Sequence, residues 1–282
     1  MAFKLGDVII DRLQFGYGAK SNGTALYALT QLKEASIDIT ADSTDITDKD
    51  GNLVYRKYSG KKGEVNAQNA FINLAVVETL SATDAEIATE DNGIVMPIIT
   101  TVDAGKSIDI TDVVTKTVTG TDGDVTTYEV VVNSLSAKGS MGEEYKIATG
   151  DAATETEYAI KSEEVDGKTK VTLYAPTNAD ETQYIVKYKK TVHSGAKITN
   201  TGDKFPTSHE LYFKALVVDP CDKESLRAAV VYIPSFMPSP EFSIALQGGD
   251  SQTMDYKGAM MLDTCSTNKE LFSIYFIDEV EE

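Results

Sequence analysis

Lys33-Glu34-Ala35-Ser36-Ile37-Asp38-Ile39-Thr40 alternates residue by residue, and Gly63-Glu64-Val65-Asn66-Ala67-Gln68-Asn69 alternates again. Successive side chains of a strand point to opposite faces. Ala35, Ile37 and Ile39 therefore share a core face, as do Val65, Ala67 and Asn69. Glu34, Ser36, Asp38, Thr40, Glu64, Asn66 and Gln68 fall on the other face, which is small, polar and acidic. From Ala25 to Ala82 the chain reads as two strands joined by a long exposed loop, residues 41–62, and followed by a helix over 70–82. The helix rests on Phe71, Leu74, Val77 and Leu80, with Ile72 and Val76 widening the apolar stripe.

The loop carries Asp42, Asp45, Asp48 and Asp50 before Gly51. A calcium loop aligned on that glycine needs an oxygen ligand at 46 and a glutamate at 57, where the chain has Ile46 and Lys57. Lys49-Asp50-Gly51-Asn52 reads better as a tight turn, since Asp-Gly suits positive φ. Beyond it the loop is basic and aromatic: Tyr55, Arg56, Lys57, Tyr58, Lys61 and Lys62. A loop of this length needs a reason, and complementary arms that touch another copy of the chain would supply one.

Composition favours β structure in one large domain or two ordinary ones: 282 residues, 14 Tyr, no Trp, abundant Thr and Val and little helical periodicity. The formal charge of −18 argues against direct phosphate binding, which is built from Lys and Arg contacts. Arg12, Arg56 and Arg227 are the only arginines. The start of the chain lacks a signal-peptide pattern, and no apolar run approaches the roughly 20 residues that span a bilayer. A cytosolic product with two free thiols, Cys221 and Cys265, and no membrane association is expected.

Residues 1–24 read as a flexible arm that docks on a neighbour. Phe15-Gly16-Tyr17-Gly18 does not fit a dinucleotide fingerprint. Ile94 to Ile99 is a strand ended or edged by Pro97. From 104 to 194 the texture becomes Thr-rich and acidic, with strands expected at Thr127–Val132, Tyr158–Glu163, Lys170–Tyr174 and Tyr184–Lys190, separated by turns such as Asp166-Gly167. This region reads as a small β domain inserted, on the outer surface, into a parent fold of 1–103 and 195–282. Strands then follow at Glu210–Val218 and Leu226–Ile233, stopped by Pro234, Pro238 and Pro240. Phe242, Ile244 and Leu246 alternate with Ser243, Ala245 and Gln247. Met254 and Tyr256 alternate with Thr253, Asp255 and Lys257, and a last strand covers Leu271–Asp278.

His193 and His209, the only histidines, do not sit at zinc spacing with either cysteine. G-x-S-x-G and P-loop motifs are absent. No enzyme, metal or cofactor is expected.

Ser36-Ile37-Asp38-Ile39-Thr40, Thr47-Asp48-Lys49-Asp50-Gly51 and Asn69-Ala70-Phe71 are similar to the major tail tube proteins of long-tailed bacteriophages. Glu241 to Gly249 with Met254-Asp255-Tyr256-Lys257-Gly258 resembles that family's closing hairpin. The resemblance implies an all-β, mainly antiparallel sandwich or barrel with one short helix, forming hexameric rings that stack into a hollow tube in the virion tail. It makes Glu34, Ser36, Asp38, Glu64, Asn66, Gln68, Ser243, Gln247, Thr253 and Asp255 candidates for the lumen. It makes Asp45, Asp48, Asp50, Tyr55, Arg56 and Lys57 parts of a ring-stacking loop, 41–62. The implied partners are other copies of the chain, a tape measure protein, a tail terminator and baseplate or tip proteins, with DNA passing through unbound. A head decoration or other capsid accessory protein is the alternative, and a surface adhesin module a third reading.

Overall fold

A computed structural model describes residues 7–120, 123–135, 141–220, 222–244, 253–262 and 269–280. It is all-β, with nineteen strands and one helix among these residues. In chain order, β1 (Ile9–Ala19), β2 (Ala25–Leu29), β3 (Leu32–Thr47) and β4 (Leu53–Asn69) lead to the helix α1 (Leu74–Ser81). There follow β5 (Glu86–Ala88), β6 (Ile94–Asp103), β7 (Ser107–Asp109), β8 (Thr115–Gly120), β9 (Gly123–Tyr128), β10 (Val130–Leu135) and β11 (Met141–Ile147). Next are β12 (Glu157–Val165), β13 (Lys168–Tyr174), β14 (Gln183–Val192) and β15 (Gly195–Lys197). Last are β16 (His209–Asp219), β17 (Asp222–Pro238), β18 (Met254–Met260) and β19 (Ser273–Val280). The chain divides into two compact units, Met1–Ala85 with Ile198–Glu282, and Glu86–Lys197.

The first unit is an eight-stranded sheet in the order β2-β1-β16-β17-β18-β4-β3, with β19 also on β17. Leu29, Val65, Leu211, Ile233 and Phe236 are buried on its inner face, beneath Val76, Val77 and Leu80 of α1. The helix is shorter than the 70–82 expected. Ala70 N–H donates to the Gln31 carbonyl (2.8 Å) and Asn69 Nδ2 to the Phe71 carbonyl (2.7 Å), which holds 69–71 in a turn. Asn73 then caps the helix by accepting from the N–H of Ala75 (3.0 Å) and Val76 (3.3 Å). This start rotates the stripe, so Phe71 and Leu74 are 63% and 62% exposed.

No free arm exists from residue 9 onward, because β1 pairs with β16 along its length. Its alternation of aromatic and glycine has a packing cause. Gly16 and Gly18 face inward: a Cβ on Gly18 would lie 2.3 Å from the Tyr27 ring, and one on Gly16 would press on Phe213 at 3.2 Å. Phe15 and Tyr17 consequently point away from the core. β17 runs through Pro234 instead of ending there. Leu211 faces Ile233 and His209 faces Phe236, so one extra residue bulges out and takes the proline with it.

His209 is 3% exposed within this core. Its Nδ1 lies 3.2 Å from the Thr207 carbonyl, which can only accept, so Nδ1 carries the proton and Nε2 accepts from Tyr27 Oη at 2.6 Å. Tyr27 Oη is also hydrogen-bonded to Tyr256 Oη. Burial lowers the His209 pKa.

The second unit is a seven-stranded sheet, β6-β14-β10-β11-β12-β13-β7, whose only parallel contact among the described strands joins β11 and β12. Val132, Leu173, Tyr184 and Val186 form its fully buried centre. The Asp166-Gly167 turn joins β12 to β13 with both residues at positive φ, as a two-residue hairpin requires. The boundary differs from the expected 104–194, because Ile94–Asp103 pairs with Val192–Gln183 along its whole length and so belongs to this unit. Pro97 lies opposite Lys189, whose carbonyl accepts from Val114 N–H on the far side of β14. Pro97 therefore turns its missing N–H toward the open edge of the sheet and costs no ladder bond.

The two ends of this unit pair with each other, Glu86 against Lys197. Thr83 Oγ1 donates to the Thr199 carbonyl just outside them. Replacing Glu86–Lys197 by a short Gly/Ser bridge between Ala85 and Ile198 should leave a soluble first unit that unfolds cooperatively in urea. Insoluble product would show that the first unit needs the second.

A second prediction concerns acid. Above about pH 6.5 His209 is neutral folded and unfolded, and contributes no pH dependence. Below that the unfolded chain takes up the proton first, so stability falls as pH drops toward the lowered folded pKa. Urea midpoints at pH 7 and pH 5 should differ more for the natural chain than for His209→Gln.

Candidate functional site

The 41–62 segment is not a loop. β3 and β4 extend through it as paired strands, and only Asp48–Asn52 turns. Asp48 Oδ1 accepts from the N–H of Asp50 (2.9 Å) and Asn52 (2.8 Å), and Oδ2 accepts from Asn52 Nδ2 (3.1 Å). These bonds, the Asn52 side chain foremost, lower the Asp48 pKa. They also explain the aspartate without a cation. Gly51 takes φ +86°, as the Asp-Gly reading expected.

The acidic and basic arms meet within the hairpin. Asp45 lies opposite Arg56 and receives a two-pronged bond, Nε to Oδ1 at 2.6 Å and Nη2 to Oδ2 at 2.8 Å. This bond lowers the Asp45 pKa. Lys62 Nζ is 3.7 Å from Asp42 Oδ2. Every residue from Ile39 to Lys62 is exposed. Ile46, Leu53, Val54, Tyr55 and Tyr58 are more than half exposed on this ribbon, while Asp50 and Lys57 stand in solvent near its tip. An isolated two-stranded ribbon is marginal in water, and exposed ion pairs, screened by solvent, add little to it. The ribbon's apolar side chains are thus left uncovered by its own chain.

At the root of the ribbon the alternation read from the sequence is present. Ile37 faces Val65 and Ala35 faces Ala67 on the core side. On the other side Glu34, Ser36 and Asp38 lie opposite Gln68, Asn66 and Glu64, and β18 adds Asp255 opposite Gln68 and Lys257 opposite Asn66. Except for half-buried Gln68 all are exposed. Asp38 accepts from Ser36 Oγ (3.3 Å) and Asn66 Nδ2 (3.2 Å), and Asp255 from Gln68 Nε2 (2.8 Å). Between the strands runs a groove of about 440 Å³ with Tyr256 buried beneath it.

The other candidates do not join this face as strand residues. Ser243 is exposed, but 241–244 carry no strand, and half-buried Thr253 precedes β18. Gln247, Cys221 and Cys265 lie outside the described residues. The closing segment acts instead through Glu241, which accepts from Lys257 Nζ at 2.8 Å. That bond lowers the Glu241 pKa and raises that of Lys257. The sequence reading missed this pair, because no spacing rule links residues across a turnless segment. Among the described residues no three of His, Cys, Asp and Glu gather as a metal site.

No family model matches this chain, and no curated protein matches it.

Proposed function

We propose that the chain is a structural subunit whose copies form rings stacked into a hollow tube, as in the tail tubes of long-tailed phages. The observation that carries this reading is the β3–β4 ribbon, exposed on both faces from Ile39 to Lys62 yet rich in large apolar side chains. Eight residues of β3 and ten of β4 project beyond the Ile39–Gly63 pair, a reach on the order of 26 Å for the shorter strand at 3.3 Å per residue. Such a ribbon suits contact with a second copy in the next ring.

The polar face supports the second half of the proposal. Glu34, Asp38, Glu64 and Asp255 are carboxylates without an exposed aromatic among them, and Lys257 is held by Glu241. Repeated around a ring, the face would repel phosphate within roughly a Debye length of 8–10 Å and give bases nothing to stack on. It would line a conduit for nucleic acid that must not stick. The role is mechanical and not catalytic.

Electron microscopy of the purified chain tests the assembly. Tubes or stacked rings are expected, and deleting Ser43–Ser59 should leave folded subunits that form none. Normal tubes from the deletion variant would end the stacking role, and shell-bound trimers would favour a decoration protein. The lumen is tested by Glu34→Lys, Asp38→Lys and Glu64→Lys together. Their tubes should retain DNA at low salt and release it as salt rises. Tubes that ignore DNA at every salt concentration would place this face elsewhere.

A further inference from the structure

The outer face of the first unit's sheet has two chemistries. Its β18–β4–β3 half is the polar face described above. Its β1–β16–β17–β19 half is rich in aromatic side chains. Register places Tyr17, Tyr212, Tyr232 and Ser273 in one row and Phe15, Lys214, Val230 and Tyr275 in the next. These positions alternate with Leu211, Phe213 and Ile233, which are buried in the core, so the aromatic rows point away from it. Tyr212 stacks on Tyr232 with centroids 4.8 Å apart, and Tyr17 lies 6.0 Å from Tyr212. Phe15 is 39% and Tyr275 54% exposed. A strand apolar on both faces is the mark of burial on both faces, and Ile274-Tyr275-Phe276-Ile277 in β19 is such a run, exposed throughout.

We infer that this aromatic half is the docking surface for the β3–β4 ribbon of a second copy. The inference rests on the stacking role proposed above and names the surface that the ribbon meets. Three features select that occupant. The ribbon carries the matching run, Leu53-Val54-Tyr55, exposed and uncovered by its own chain. Its reach of about 26 Å exceeds the roughly 14 Å that separates the outermost of four neighbouring strands, so it can lie across all of them. The two surfaces are different patches of one chain, so the contact is head-to-tail and propagates from copy to copy. Sheet twist of about 20–25° per strand turns the aromatic half from the polar half by on the order of 90° across four strand steps, so a ribbon on one leaves the other open. Tyrosines in a desolvated patch are the residues that dominate such contacts.

The test uses full-length chains. Phe15→Ser with Tyr275→Ser changes two exposed side chains, so thermal unfolding should stay near that of the natural chain. Tyr275→Ser alone serves if the pair does not fold. The concentration at which light scattering first reports assembly should rise at least about tenfold. A complementation experiment then separates the two proposals. The face variant keeps its ribbon, and the Ser43–Ser59 deletion keeps its face. At the concentration where the natural chain first assembles, neither should assemble alone, and mixed they should form a 1:1 complex that grows no further. If the face variant assembles at the natural concentration, or the mixture stays unpaired, the docking surface is wrong while the stacking role can stand. If the deletion variant polymerises normally, the stacking role and this inference fall together.

Discussion

The first unit depends on one cross-strand pair, Ile37 opposite Val65. Val65 is fully buried, and the next pair outward, Ile39 with Gly63, is the last that touches core. Gly63 is there because a Cβ would lie 2.7 Å from Met260 Sδ. Beyond that point the ladder continues with no core beneath it. The anchor fixes register for the whole ribbon, since a slip of one residue would put Asp38 and Glu64 inside and Ile37 and Val65 outside. Burying two carboxylates so would be prohibitive, and this is why so long a ribbon keeps its Asp45–Arg56 alignment far from any core.

The same alternation separates the two outer surfaces. In β3, β4 and β18 the positions between core residues hold Glu, Asp, Ser, Asn and Gln. In β1, β16, β17 and β19 they hold chiefly Phe, Tyr and Val, with Glu210, Lys214 and Ser273 among them. The division is not imposed by the core, which is equally apolar under both halves. Gly16 and Gly18 show the cost accepted to keep it. Glycine weakens a strand, yet here it lets Phe213 and Tyr27 fill the interior while β1 presents aromatics outward.

What was legible in the sequence follows from how local each signal is. Period-two alternation in 33–40 and 63–69 identified the two strands and both their faces, and Asp-Gly marked the turns at 50–51 and 166–167. Residues 41–62 read as a loop because their alternation is blurred: Leu53-Val54-Tyr55 is a continuous run, and the bulge at Gly60 shifts the phase. A ribbon with no core face has no reason to alternate. Phe71 and Leu74 had helical spacing but lie at the wrong phase, set by the Asn73 cap. The unit boundary was read at 104, where the Thr-rich, acidic texture begins, whereas β6 joins the second unit through its pairing with β14, which composition does not show. The Tyr27–Tyr256–His209 network joins residues 182 and 229 positions distant from Tyr27, which no spacing rule reaches.

If the proposed assembly holds, the choice of tyrosine for the outer face answers two demands, staying apart as free copies and docking in a stack. A face of Phe and Leu would bury as much apolar area on docking, but it would also drive indiscriminate association before any ring formed. Tyrosine keeps a polar edge for water while its ring remains available to a partner. Tyr212 illustrates this: its Oη donates to Glu210 Oε2 at 2.8 Å, while its ring stacks on Tyr232. The chain's formal charge of −18 acts in the same direction at long range by keeping free copies apart. On the proposed assembly, association would then wait for the short-range fit of a ribbon on its face, where a mismatched ring stack yields little. A sheet that is acidic on one half and tyrosine-rich on the other would, on that assembly, keep single copies apart and let them grow in one direction only.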